Sequence, residues 1–457
     1  VDVVVRLLAK REEWNMESKT KSLVSQSHTP TTANKETRAE AESKSVARKG
    51  TFAVLRVPSF AWYLAGTTFS NAAQWVQGVT LSWLVYDLTS SGTSLGTLNL
   101  VRSIATVGLA PIAGVAVDRL PRRGLLYATS IWLFSLSFVL GLILLGNPTV
   151  VWPLFLFSLL GGVGQAVSMP LRQTIVFSIV PRSQAPSAVA LVHTGWAVMR
   201  SIGPAIGGFL LLWFGPAGNF FVQAGAYALV TLTIVKLNLP PGKSNAQKAK
   251  IRGSFSEGLQ YILSEPTTLA FVLMGWVLPL FIIPNFSALP PIYAKDVFHG
   301  GPDTLGTLLS AVGIGGIVGG FVTASLGKLE RRGLVQLASL LFLGLTFIAF
   351  AVSTELWMGL VLMGLAGFFE MIYLTTNATL LQLSIPDELR GRVTGITSLR
   401  SGLMPVGAFI AGIGADLVGP RTMTLILGGI TAAIAVIVYL ASPLVREYRL
   451  SQALEQS

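Results

Sequence analysis

One carboxylate, Glu370, stands deep inside an apolar run of this 457-residue chain, and four arginines, Arg102, Arg172, Arg200 and Arg400, stand inside other such runs. A carboxyl group in low dielectric has its charged form disfavoured unless a cation is close. It can therefore load and release a proton as its surroundings change. Two readings of Glu370 stand side by side. It is either a proton carrier or the permanent ion-pair partner of an arginine in another part of the chain, holding one state closed. The arginines are candidates for that pairing, for binding an anionic substrate, or for bonding backbone carbonyls. Four embedded arginines against one deep acid leave positive charge uncompensated, which favours a substrate or lipid contact carrying negative groups. Snorkelling to an interface removes the imbalance for any that reach one.

Other polar side chains in the apolar runs are candidates to line a cavity with aromatic surfaces: Asn71, Gln74, Trp75, Gln77, Gln165, Asn285, Tyr373 and Asn377. His193 reads as a hydrogen-bonded packing residue. With no cysteine and only three histidines in the chain, thiol chemistry and disulfides are excluded, and no metal or cofactor is implied.

The elements that must position these groups follow from composition. The chain is 52% hydrophobic and 12% charged, which fits a polytopic membrane protein and no soluble one of this length. Its net charge of +12 sits in short loops between apolar runs, so topology explains it and nucleic acid is not an implied partner. A spanning helix needs about 20 residues. Twelve segments meet that rule: 60–86, 94–117, 125–145, 150–180, 187–214, 219–237, 267–293, 304–326, 334–353, 356–384, 392–416 and 422–441. Pro170, Pro204, Pro279, Pro284 and Pro405 offer places to kink. The expected fold is all-α, with twelve transmembrane helices in two six-helix pseudo-symmetric bundles.

Alternate loops carry the cations: Arg119, Arg122 and Arg123, then Arg182, then Lys243, Lys248, Lys250 and Arg252, then Lys328, Arg331 and Arg332, then Arg390. The other loops offer only Lys295 and Arg421. The positive-inside rule makes the first set cytoplasmic and puts both termini inside the cell membrane. Residues 1–50 read as a disordered tail, 51–237 and 255–441 as the two bundles, 238–254 as a cytoplasmic linker and 442–457 as a cytoplasmic tail. The purine-rich codons expected for Arg11-Glu12-Glu13 predict a start at Met16, leaving 1–15 untranslated. Phe255 to Ile262 reads as a short amphipathic interfacial helix. Helices 3, 6, 9 and 12 carry no interior charge and are expected outermost.

The charged turn Gly114-Val-Ala-Val-Asp118-Arg119-Leu-Pro-Arg122-Arg123 has an echo at Gly327-Lys328-Leu-Glu-Arg331-Arg332, where Gly327 replaces the acid. Arginine in such a turn pins the flanking helices to one face, and Gly114 is expected to let another helix approach closely. Superposing the halves so that Pro181 meets Pro386 brings Gln165 to Glu370 and Arg172 to Asn377. In helix 5, Gly203, Pro204, Gly207 and Gly208 offer a kink flanked by packing glycines. Gly313 to Gly320 reads as helix packing, not a nucleotide loop.

These motifs resemble the major facilitator superfamily. Gly114, Asp118, Arg119, Arg122 and Arg123 look like its loop 2–3 signature, and Gly203-Pro204-Ala-Ile-Gly207-Gly208 is similar to the antiporter motif of its exporters. With Trp83-Leu-Val-Tyr-Asp87, Met169-Pro170-Leu-Arg172-Gln173, Glu257-Gly258-Leu-Gln-Tyr261 and Arg390-Gly391-Arg392-Val393, the chain from Phe52 to Leu440 resembles the enterobactin-exporter-like and macrolide-efflux-like branch. Two departures weaken the usual proton relay: Ser158 to Gly164 hold no arginine before the Gly-x-Gly of helix 4, and helix 1 holds no embedded acid. The resemblance implies a secondary transporter, not an enzyme. It would export small amphipathic molecules by alternating access and proton antiport, with membrane lipids around it and no obligate protein partner. An uncoupled facilitator or lipid-moving protein of the same fold is the alternative. A receptor or membrane-bound enzyme would need a signalling domain or catalytic constellation that the sequence does not display.

Overall fold

The computed structural model describes residues 51–146, 150–237, 251–325 and 330–448. The tail 1–50 with Met16, linker residues 238–250, Gly327, Lys328 and the end of the C-terminal tail lie outside the described residues, as does the side chain of Asp118.

Among the described residues every regular element is a helix. Nine are long and apolar enough to cross a membrane, and a bent pair makes a tenth. We number them by the twelve expected segments. α1 is Pro58–Thr89, which is long enough to span but richer in polar side chains; α2 is Gly92–Gly108 continued by Ala110–Arg119; α3 is Arg122–Leu145; α4 is Trp152–Ile179. Ala185–Val235 is continuous over 51 residues except at Gly215, with φ 66° and ψ −179°. A straight helix of that length would run about 75 Å, more than twice the hydrocarbon thickness. It is therefore two legs, α5 (185–214) and α6 (216–235). In the second half α7 is Pro266–Val297, α8 Pro302–Ser325, α9 Arg332–Val352, α10 Leu356–Leu383, α11 Glu388–Val418 and α12 Pro420–Ala441.

The two halves echo each other at one joint. Gly215-Pro216 turns α5 into α6, and Gly419-Pro420 turns α11 into α12, both glycines having positive φ. Only glycine takes that conformation without strain, and proline then opens the next helix with a preset φ.

Three expectations are corrected. The loop expected over 215–218 is a single non-helical residue. The segment 94–117 is not one straight helix but bends by 45° near Leu109 and Pro111. The amphipathic helix is longer, Ile251–Ser264, and packs on the start of α11, where Arg392 pairs with Glu257.

In the first half α1 packs on α5 and α6, α2 on α4, and α3 on α4 and α6; in the second, α8 packs on α10, and α9 on α10 and α12. The halves meet along α5 with α8 and α2 with α11. One apolar core lies within each half, around Tyr63 and Tyr227 in the first and around Phe271 and Tyr373 in the second. A third core joins the halves, setting Leu84, Val85 and Leu95 against Leu289, Ile292, Leu305 and Leu308. All of these lie toward one end of the bundle, hereafter the closed end.

The other end is open. Methyl groups added at Gly108 and Gly114 of α2, or at Gly391, Gly395 and Gly402 of α11, would meet nothing within 4 Å. The expectation that Gly114 admits a close helix is thus corrected for this state: a Cβ there would meet nothing within 4 Å, so no neighbouring helix uses the space the glycine leaves.

Candidate functional site

Midway along the bundle, Arg200 of α5 donates to the Glu370 carboxylate of α10 at 2.6 Å, across the interface of the halves. Glu370 is nearly buried, its side chain 3% exposed, and Arg200 is 17% exposed beside the Trp196 ring. Glycines let α5 and α8 come together around this pair. A Cβ at Gly313 would sit 2.5 Å from the Ser201 Cα, and one at Gly306 the same distance from the Pro204 carbonyl. Ser310 accepts the Ala205 N–H at 2.9 Å.

The remaining arginines separate. Arg172 stays within the first half, donating to Ser168 at 3.1 Å and toward Thr67 at 3.5 Å, while Tyr63 donates to its carbonyl. Arg102 is exposed on α2, and Arg400 is half-buried on α11 with its Nη1 turned toward Gly275 of α7. Glu370 is thus brought to one of the four candidates.

The other polar candidates scatter in the same way. Tyr373 and Asn377 are buried, donating to the Met274 and Phe271 carbonyls of α7. Asn285 is buried and bonds its own helix at Phe281. Trp75 covers Gly203, where a Cβ would lie 2.8 Å from the Trp75 Cβ. Gln74 is exposed with Ser70 at 3.4 Å, and Asn71 and Gln165 are half-buried on α1 and α4. Gln77 turns inward and accepts from Gln223 of α6 at 2.7 Å.

The glycine motif of α5 has two faces. Gly203 and Gly207 receive Trp75 and Val76 of α1, while Gly208 receives the Pro302 backbone of α8 at 2.4 Å from its virtual Cβ. Gly315 and Gly319 pack α8 on the α10 backbone at Gly364 and Phe368. In the charged turn, Arg122 donates to Ser178 at the end of α4 and Arg123 to the Val235 carbonyl at the end of α6. Both tie α3 to its own half. Arg119 is exposed.

The closed end carries polar contacts that sequence reasoning missed. Asp416 of α11 accepts from the Gly92 and Thr93 backbone N–H groups and from the Ser91 and Thr93 hydroxyls, all within 2.6–2.8 Å. Lys295 of α7 pairs with Asp87 at 2.6 Å, and Tyr86 donates to Asp296. The available signals were the positions of Lys295, a rare cation on that side, and of Asp416 near the outer end of α11. Among the described residues no three His, Cys, Asp or Glu side chains gather as a metal site needs.

A family model described as transmembrane secretion effector matches residues 49–454. The staphyloferrin A transporter of Staphylococcus aureus is 26% identical over 376 residues, covering 80% of this chain and 91% of that one. The multidrug efflux pump Tap of Mycolicibacterium fortuitum is 27% identical, covering 77% and 87%. Macrolide efflux protein A of Streptococcus pyogenes is 22% identical, covering 84% and 95%. In fold, the chain is similar to a bacterial homologue of the human lysosomal transporter Spinster in an inward-facing, unoccupied conformation, with a TM-score of 0.63 at 16% identity over 87% of this chain and 98% of that one.

Proposed function

The chain belongs to the transmembrane secretion effector family of the major facilitator superfamily, a family of membrane transporters, and from that premise we propose that it exports small amphipathic molecules across the cell membrane in exchange for protons. The two halves, 51–237 and 251–441, rock about the level of the Arg200–Glu370 pair, joined by the linker 238–250. The basic loops lie at the open end, so that end faces the cytoplasm, with both termini, by the positive-inside rule. An exporter loads from that side, and this is its loading state.

What carries the reading is the Arg200–Glu370 pair. A buried carboxylate keeps its charge only while its cation stays within reach. Closure of the open end changes the contact of α5 with α10, and a Glu370 deprived of Arg200 takes up a proton. Return to the loading state restores the pair and releases the proton inward, as antiport requires. The names of the relatives, covering a siderophore, drugs and a macrolide, support a cavity that selects by shape and scattered polar contacts.

The test is proton movement in inverted proteoliposomes carrying the wild type or Glu370→Gln, with siderophores, macrolides and dyes supplied in turn. Substrate-dependent proton movement in the wild type, absent from the variant, is the expected result. Proton movement preserved in the variant would make Glu370 structural, and substrate movement without protons would make the chain a facilitator.

A further inference from the structure

Arg200 has a second neighbour besides Glu370. Its guanidinium carbon stands 5.6 Å from the centroid of the Trp196 ring, four residues back on the same helix. Residues four apart on a helix share a face, and long side chains there lean toward the N-terminus, so Arg200 lies down over Trp196. The Trp196 side of this contact is not used up, for the residue is still 45% exposed. The other residues within a turn of Arg200 on that face are Ala197, Gly203 and Pro204, and none has a side chain able to hold a cation. Glu370 reaches Arg200 from α10, in the other half, whereas Trp196 travels with it on α5.

That difference decides what happens to each charge when α5 and α10 part. A stranded carboxylate takes up a proton and becomes neutral. A guanidinium has no such escape, because it does not deprotonate in a protein. Arg200 is only 17% exposed, and a lone cation inside a membrane bundle is expensive. The face of an indole is the negative side of its quadrupole, and it attracts a cation within about 6 Å more strongly as water is excluded. The contact already formed beside the ion pair is therefore the one that persists without it.

We propose that Trp196 is a positioning residue that holds Arg200 while Glu370 is protonated. This rests on the proton-exchange reading above and deepens it. Protonation of Glu370 requires the pair to separate, and Trp196 makes the separated state accessible by keeping the freed guanidinium on its ring. Arg200 thus alternates between a carboxylate of the other half and an indole of its own.

The test is a thermal-unfolding cycle on the purified protein in nanodiscs, with Glu370→Gln standing in for the protonated carboxyl. Trp196→Leu is expected to lower the melting temperature by about 2 °C or less where Glu370 is present, and by at least about twice as much in Glu370→Gln. The excess should vanish when Arg200→Gln is added, because no cation is left to hold. Trp196→Phe keeps a ring of weaker pull and should recover part of the excess; the same cycle is run on it alone if Trp196→Leu does not fold. An equal loss in all three backgrounds would show that Trp196 only fills space, and an excess that persists without Arg200 would likewise overturn the proposal. In transport, Trp196→Leu should lower turnover about tenfold and leave substrate affinity from the open side unchanged. A loss of affinity with turnover kept would make Trp196 a substrate contact and overturn the assignment. The cycle needs neither gradient nor substrate, so its failure leaves proton-coupled export standing. A chain that passes the cycle yet moves no protons fails the export reading instead.

Discussion

Asp416 caps a helix in the other half of the molecule: its Oδ1 accepts the Gly92 N–H at 2.6 Å, at the first turn of α2. The leading N–H groups of a helix have no intrahelical acceptor, and their end of the dipole is positive, so a carboxylate is stabilised there. Asp416 adds the Thr93 N–H and two hydroxyls. By contrast, the Lys295–Asp87 pair is 32% and 46% exposed, and such solvated pairs contribute about 0–1 kcal/mol. Asp416, itself exposed, adds four hydrogen bonds across the halves to the apolar core that joins them.

Asp416→Ala should weaken that closure by about 1–2 kcal/mol, on the scale of a lost helix cap. The chain has no native cysteine, so spin labels at Ser90→Cys and Leu417→Cys report the gap cleanly. The variant should show a second, longer distance population that Asp416→Asn shows less. A distribution identical to the wild type would mean that Asp416 does not hold the halves together.

The Arg200–Glu370 pair makes a separate prediction about stability. Removing one partner of a buried ion pair leaves an uncompensated charge and costs about 3–5 kcal/mol, whereas removing both is far milder. Arg200→Gln and Glu370→Gln should each lower the melting temperature in nanodiscs, and the double variant should recover part of the loss. Strictly additive losses would show that the two side chains are not coupled.

How much of this was legible in the sequence differs by kind of interaction. Hydrocarbon demands long apolar helices, so the spans could be read one by one, and the embedded charges stood out against them. Which arginine meets Glu370 could not be read, because the partners are 170 residues apart and depend on which faces of α5 and α10 converge. Glycine spacing marked α5 as a close-packed helix, without saying that Gly203 would receive α1 and Gly208 would receive α8. Asp416 could be placed near the outer end of α11 but its partners could not, because two of its donors are backbone N–H groups, which no side-chain pattern encodes. Gly114 misled, because a sequence has no conformational state and the helix expected against it is absent from this one.

Closure along α2 and α11 depends on glycine to a degree that can be tested. A Cβ at Gly412 would sit 2.1 Å from the Gly92 carbonyl oxygen, whereas one at Gly429 of α12 would meet nothing within 4 Å. Gly412→Ala should keep the closed end from seating and abolish transport, with the labelled pair showing the longer distance. Gly429→Ala, equally a gain of one methyl in a helix, should transport normally. Equal activity of the two variants would remove the seam from the mechanism.

Gly114 supplies the converse experiment. In the present state a Cβ there would meet nothing within 4 Å, so Gly114→Val should leave folding and the closed end unchanged. If the halves rock, the ends of α2 and α11 there must later approach each other, and the added side chain then obstructs them. Gly114→Val should therefore give normal melting, normal substrate binding from the open side and transport lowered at least about tenfold, the signature of an obstructed conformational step rather than a damaged site. Undiminished transport would show that this face never closes, and alternating access by rocking of the halves would have to be abandoned.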